Sequence, residues 1–408
     1  MDLRSRLQSI ILDDLCEQII DSEHKTAPIQ LSGIPYVRTP NVKNTRLILD
    51  DAHRVSEETY KEWTKRIEPK PYDIILCREA PVGDSAMILP NQKICLGQRT
   101  VLIRANKEKI YPKYLLFLLN SPNVKHELLS NSGGTHVDHL NMKDIRSLNV
   151  EIFHSYDEQK IIGDLLFNLN SLIYSKEKQN QILEKTIQTI FKSWFIDFDG
   201  QTEFEDSKLG KIPKGWICEI LDNFLERVTY GFTCPMPTSQ DGPYMITSKD
   251  LEGDKINFMT SRKTTQQAFE KNLTDKSRPM KNDILLSKDG TLGRLAIVGD
   301  EKICINQSVA VLRPNSRINS YFLYYLLKSP QYQETMINHA DGSVIQHIYI
   351  TRVNQMFILV PEKSIKVQFE KICENIYKKT DLNFKKIMYH SKIRDSLLPK
   401  LMSGEIQV

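Results

Sequence analysis

The chain has 408 residues, 40% of them apolar and 26% charged, with a formal net charge of +4. These proportions suit a soluble globular protein with two or three cores, and its apolar runs, such as Leu115 to Leu119, are too short for a signal peptide or a membrane span. So small a charge also means that any nucleic-acid surface must be built by gathering cations on one face.

In chain order, residues 1–155 read as an α+β domain. Short strands are punctuated by turn formers such as Gly33-Ile34-Pro35 and Asn131-Ser132-Gly133-Gly134, and a compact helix is expected at Pro112–Leu119 before the Ser121-Pro122 break. Residues 156–198 follow as a long helix. From Asp157 to about Phe195 there is no proline and one glycine, Gly163. Ile162, Leu165, Leu169 and Leu172 recur at coiled-coil spacing, followed by Leu183, Ile187, Ile190, Trp194 and Phe195. At ~1.5 Å per residue the helix is about 60 Å long, more than one domain needs for its own core. Residues 199–210 read as a polar linker, and residues 211–361 as a second α+β domain with a helix at Tyr321–Leu327. Residues 362–408 hold a second long helix, Ser364–Leu398, with Val367, Ile372, Ile376, Ile387 and Leu397 in its seam. It is expected to stop at Pro399. Polar residues interrupt both seams, at Lys176–Gln179 and Thr380–Asn383; if the helices lie antiparallel, these stretches would face each other and fix the register. Two separate amphipathic helices, each on its own domain, are the other reading.

The two halves are copies. Asp73-Ile74-Ile75-Leu76 returns as Asp283-Ile284-Leu285-Leu286, Gly83 as Gly293, Ile94-Cys95 as Ile303-Cys304, Gln98 as Gln307, Arg104 as Arg313 and Gly134 as Gly342, at an offset of roughly 208 to 210 residues. This is a whole-domain duplication, far longer than a solenoid period. Its natural target has two half-sites.

Catalytic signatures are missing. There is no phosphate loop, no dinucleotide fingerprint, no nucleophile elbow and no metal-ligand spacing among the histidines. Asp51 ahead of Glu68-Pro69-Lys70 mimics a nuclease motif, but Pro69 would break the strand such a motif occupies. Seven scattered cysteines without a C-x-x-C pair argue for a reducing cytosol, and Cys95 and Cys304 read as buried small hydrophobes.

Cations cluster in both copies. Lys43, Arg46, Arg54, Lys61, Lys65, Arg66, Lys70 and Arg78 lie in one loop-rich stretch; Arg262, Lys263, Lys271, Lys276, Arg278, Lys281, Lys288 and Arg294 lie in its counterpart. Acidic residues are interleaved in both, so a solvated face remains the alternative.

Several segments together resemble the specificity subunit of type I restriction–modification systems over essentially the whole chain. They are Glu158-Gln159-Lys160-Ile161-Ile162, Phe191-Lys192-Ser193-Trp194-Phe195-Ile196-Asp197-Phe198, Asp289-Gly290-Thr291-Leu292-Gly293-Arg294, Leu96-Gly97-Gln98-Arg99 and the closing Ser396–Ile406. One departure is Val367-Gln368, where the family commonly has an acidic residue before the glutamine. The resemblance implies two α/β target-recognition domains joined by two antiparallel spacer helices with approximate twofold symmetry, each domain reading half of a bipartite DNA target. It implies no catalysis and no cofactor on this chain. Two modification subunits would use S-adenosylmethionine, and motor–nuclease restriction subunits would use ATP and Mg²⁺. A coiled-coil scaffold and a stand-alone nuclease are the competing readings. If the half-sites differ, residues common to both copies cannot carry the difference. Gln98 and Gln307 are then framework or phosphate contacts that keep a base-reading option. Specificity is expected where the copies diverge: Arg38 to Lys70 against Ile246 to Lys281 (including Lys249), Arg99 against Ser308, and His136 against Val344.

Overall fold

The computed structural model describes residues 6–79, 81–130, 139–338 and 347–408. The chain divides into two compact units, Met1–Tyr174 with Tyr389–Val408, and Ser175–Met388.

In the first unit the central sheet runs in the order Cys16–Asp21, Thr100–Ala105, Ile74–Cys77, Ser85–Met87, Thr45–Leu47, Val42–Lys43. Ile74, Leu76, Val101 and Ile103 are fully buried on the face that meets the helix Pro112–Leu119; Ile75, Cys77 and Leu102 fill a second small core on the other. Both faces are covered, which explains the continuous apolar runs in these strands. A three-stranded sheet, His53–Val55, Ile34–Val37 and Cys95–Leu96, stands beside it, and Leu7–Ile11 pairs with Asn149–Phe153.

The second unit repeats this plan. Its four-stranded sheet runs Leu225–Tyr230, Val309–Pro314, Ile284–Ser287, Leu295–Ile297. Arg262–Lys263, Ser239–Ile246 and Ile303–Ile305 form the smaller sheet, and Ile217–Ile220 pairs with Phe357–Val360. Helix starts match as well: Ser56 Oγ accepts from Thr59 N–H, and Thr265 Oγ1 from Ala268 N–H. Gly83 and Gly293 hold φ of +82° and +77°, so the repeated glycine answers a backbone need. The paired salt bridges are equally faithful. Arg104 donates to both oxygens of Asp73 at 2.9 and 2.7 Å, and Arg313 to both oxygens of Asp283 at 2.7 Å each.

The long helices span Tyr156–Phe195 and Lys363–Met402, 40 residues each. In the first unit Gln159 ties the helix start to its domain, donating to Phe153 O and accepting from Tyr111 N–H, both at 2.9 Å. Gly163 permits the close approach: a Cβ there would lie 2.7 Å from Tyr114 N. Ile162, Leu166 and Ile173 are buried, whereas Leu165 and Leu172 are 39% and 48% exposed. The expected seam is thus corrected by one position at these two leucines. Both spacings fit a helix of ~3.6 residues per turn, and the domain surface beneath decides which face turns inward. Leu169 is half-buried.

In the second unit Phe191 and Phe195 close an aromatic cluster with Trp216, Phe322 and Phe369, the Phe195 and Phe369 rings 4.7 Å apart, and Trp194 packs on its edge. Ile376 and Ile387 are buried, Leu183 and Ile372 half-buried against the core, and Val367 is exposed. The polar interruptions meet here: Asn383 donates to Asn180 Oδ1 at 2.9 Å and to Gln179 at 3.3 Å, and Asn180 donates to Thr380 O at 3.2 Å. The two helices cross antiparallel, with amides rather than leucines setting the register.

Pro399 does not end the second helix, which runs on to Met402. Proline forfeits one hydrogen bond in a final turn, and burial of Leu401 and Met402 in the first unit's core, with Leu397 packed against it, offsets that loss. Gly404, at φ +76°, then turns the chain. The segment read as a linker also contains structure, the hairpin Phe204–Ser207 with Gly210–Pro213. Among the described residues no helix is long and apolar enough to cross a membrane.

Candidate nucleic-acid interface

The structure sorts the candidate cations into exposed groups and groups already engaged inside the protein. In the first unit Lys43, Lys61, Lys65, Arg66 and Arg99 are exposed, with Arg66 3.4 Å from Glu23. Arg38 is half-buried beside His53 at 3.3 Å, and Arg54 donates to Leu49 O at 3.0 Å. Gln98 donates to His24 O at 2.7 Å, which makes it part of the frame.

Two residues expected on the DNA surface face elsewhere. Arg46 donates to Ser171 Oγ at 2.8 Å and lies over the Tyr174 ring at 4.6 Å; it fastens the Val42–Leu47 hairpin to the long helix. Arg78 is buried, with Nε on Leu140 O, Nη1 on Asp21 and Nη2 on His139 Nε2. All three guanidinium nitrogens are engaged, so Arg78 is structural.

In the second unit Lys249, Arg262, Lys276, Lys281 and Gln307 are exposed. Lys281 is paired with Asp300 at 2.6 Å. Lys263 covers the Tyr244 ring at 4.9 Å; Arg278 donates to Leu273 O and Arg294 to Leu251 O, each at 2.7 Å. Lys288 is buried on Asp289 at 2.8 Å, the counterpart of Arg78 and likewise structural. Lys249, Arg262 and Gln307 come together around an open cleft of about 910 Å³, which Asn306, Ser308, Thr247 and Thr260 also line. Cations, amides and hydroxyls around one recess are the groups that hydrogen-bond phosphates and base edges. His136 and Val344 lie outside the described residues.

An acid–histidine pair at the end of the central strand was missed by the sequence reading. His139 Nδ1 is 3.1 Å from Glu79 Oε1, and His347 Nδ1 contacts Asp289 Oδ1. The signal was present: both histidines and both acids recur at the repeat offset. Cys95 and Cys304 are not placed as nucleophiles, since burial pushes both thiols up to about 12.

Two copies of one α/β plan, two long helices that meet through amides, and exposed cations beside a polar recess define a duplicated DNA-recognition chain. The family model for the type I restriction modification DNA specificity domain matches it twice, at residues 8–185 and 236–388. The chain belongs to that family, as a specificity subunit. It is 27% identical over 394 residues to the MjaIX type I restriction enzyme specificity subunit of Methanocaldococcus jannaschii, covering 92% of this chain and 87% of the relative. Against the HindI type I restriction enzyme specificity subunit of Haemophilus influenzae the identity is 23% over 413 residues, covering 83% and 87%. The crystal structure of the type I restriction–modification S subunit from M. genitalium aligns over 97% of this chain and 96% of its own length, with a TM-score of 0.62 and 16% identity.

Proposed function

We propose that each unit reads one half of a bipartite DNA target and that the two long helices fix the gap between the halves. The observation that carries this reading is the duplication itself: one fold plan is kept twice while the exposed groups diverge, with Arg99 in one copy answered by Ser308 in the other. Chemistry falls to partners, modification subunits that hold S-adenosylmethionine and restriction subunits that hold ATP and Mg²⁺; this chain carries no cofactor of its own. Seven free thiols and a DNA target fit work in the cytoplasm. With its modification subunits present, the chain should retain from a random DNA library fragments sharing a split motif with a fixed gap. Retention without sequence enrichment would sink the proposal.

A second expected result concerns the gap. Four helical residues inserted after Lys176 add ~6 Å, against a base-pair rise of ~3.4 Å. The gap should lengthen by one or two base pairs with the half-sites unchanged. Affinity should fall, because the insertion also rotates the helix by about 40° and disturbs the pairing of Asn180 with Asn383. Altered half-sites with an unchanged gap would show that the helices are not the ruler.

A further inference from the structure

In the first unit a chain of hydrogen bonds leads from the core to one exposed arginine. Buried Arg78 donates to Asp21 and to His139 Nε2, the latter at 2.8 Å. An Nε2 that accepts leaves the imidazole proton on Nδ1, which points at Glu79 Oε1 at 3.1 Å. The other carboxylate oxygen, Oε2, meets Arg99 Nε at 2.8 Å. The Arg99 side chain is nevertheless 64% exposed, and Glu79 is its one partner among the described residues. Held through Nε, the guanidinium keeps its two terminal nitrogens without a partner among the described residues, a fork available to a ligand. Its backbone sits at φ +67°, in the left-handed region that a β-carbon disfavours. The carbonyl of Arg99 is fixed by Arg78 N–H at 2.9 Å, so this costly turn is held from within.

The second unit keeps the acid–histidine pair and lacks the arginine. Ser308 stands in its place, its hydroxyl donating to Asn306 Oδ1 at 2.6 Å and accepting from Ser248 N–H at 2.9 Å. It lines the open cleft where the first unit has a projecting cation. The same support therefore carries a long bidentate donor in one copy and a short hydroxyl in the other.

We infer that Arg99 reads a guanine in the first unit's half-site, with Glu79 and His139 as positioning residues. This rests on the proposal that each unit reads one half-site. Two parallel N–H donors match guanine O6 and N7, the pair that an arginine fork selects in the major groove. An arginine held by a carboxylate also loses less rotamer freedom on binding than a free one, so the contact discriminates more sharply.

The test compares wild type with Arg99→Gly, Arg99→Lys and Glu79→Gln, each full-length and complexed with the modification subunits, by sequencing the DNA retained from a random library. Glycine adopts φ +67° without strain, so Arg99→Gly should melt at or above the wild-type temperature. Its motif should lose the preference for guanine at one position of one half-site, by about tenfold to a hundredfold, with the other half-site intact. Arg99→Lys should relax the same position, because a single ammonium is not a fork, and covers the case of a glycine variant that does not fold. Glu79→Gln should weaken the same preference by a smaller factor. A uniform loss of affinity with an unchanged motif would make Arg99 a phosphate contact and overturn the inference; so would an unchanged motif with unchanged affinity. A wild-type complex that enriches no motif would instead defeat the half-site reading itself.

Discussion

Methionine in place of Arg313 should destabilise the second unit by about 3–5 kcal/mol. Asp283, its partner, is 2% exposed and takes two of its hydrogen bonds from this one guanidinium. Its remaining bond comes from Met280 N–H at 2.8 Å, which closes the turn before the central strand. Without the arginine, the carboxylate stays buried with one backbone donor and must either ionise unpaired or take up a proton. Replacing both residues, Arg313→Met with Asp283→Asn, should recover much of the loss, because no uncompensated charge is left. Urea unfolding midpoints of the single and double variants check this. A single-variant loss below about 1 kcal/mol, the range of an exposed pair, would refute it.

Lys255→Met should work in the opposite direction, with a gain that depends on pH. Lys255 sits in the Leu251–Ile256 hairpin, 2% exposed, its Nζ without a hydrogen-bond partner among the described residues and 3.1 Å from the centroid of the Tyr377 ring. Tyr324 and Lys328 face it from the helix Ser320–Lys328, Glu184 and Asp381 from the two long helices, and Asp254 from its own turn. Burial lowers its pKa from 10.5 to about 7, with the carboxylates opposing the shift in part. A lysine with a depressed folded-state pKa binds fewer protons folded than unfolded between pH 7 and 10.5, so stability rises with pH across that window. Below it the full penalty applies, on the order of 4–5 kcal/mol. Methionine keeps the aliphatic stem and removes the charge, giving up a cation–π contact of roughly 1–2 kcal/mol. The variant should therefore be more stable at pH 7 by about 2–4 kcal/mol, the gain shrinking toward pH 10.5. An equal difference at both pH values would show that Lys255 is not the titrating group.

The duplication, the two long helices and the absence of catalytic signatures could all be read along the chain, because each is a pattern in residue order. The polar interruptions of the two seams were legible too, and their meeting was expected if the helices lay antiparallel; that Asn180, one residue past the first stretch, pairs with Asn383 came from the structure. The framework residues were legible for the same reason, since Asp73 and Arg104 recur as Asp283 and Arg313; that each acid pairs with its arginine came from the structure.

Which cation faces outward was a tertiary decision. Arg46, Arg78 and Lys288 look like their neighbours in sequence, yet each meets a ring, a hydroxyl, a carboxylate or a carbonyl contributed by another element. Helical periodicity placed Leu165 in the seam, and the domain surface beneath buries its neighbour Leu166 instead. Pro399 broke a local rule because Leu401 and Met402 have a core to enter. The sequence alone determined a twice-written recognition chain with a helical connector. The tertiary structure decided which side chains are left to recognise anything, because a cation's availability depends on partners that lie dozens to hundreds of residues away.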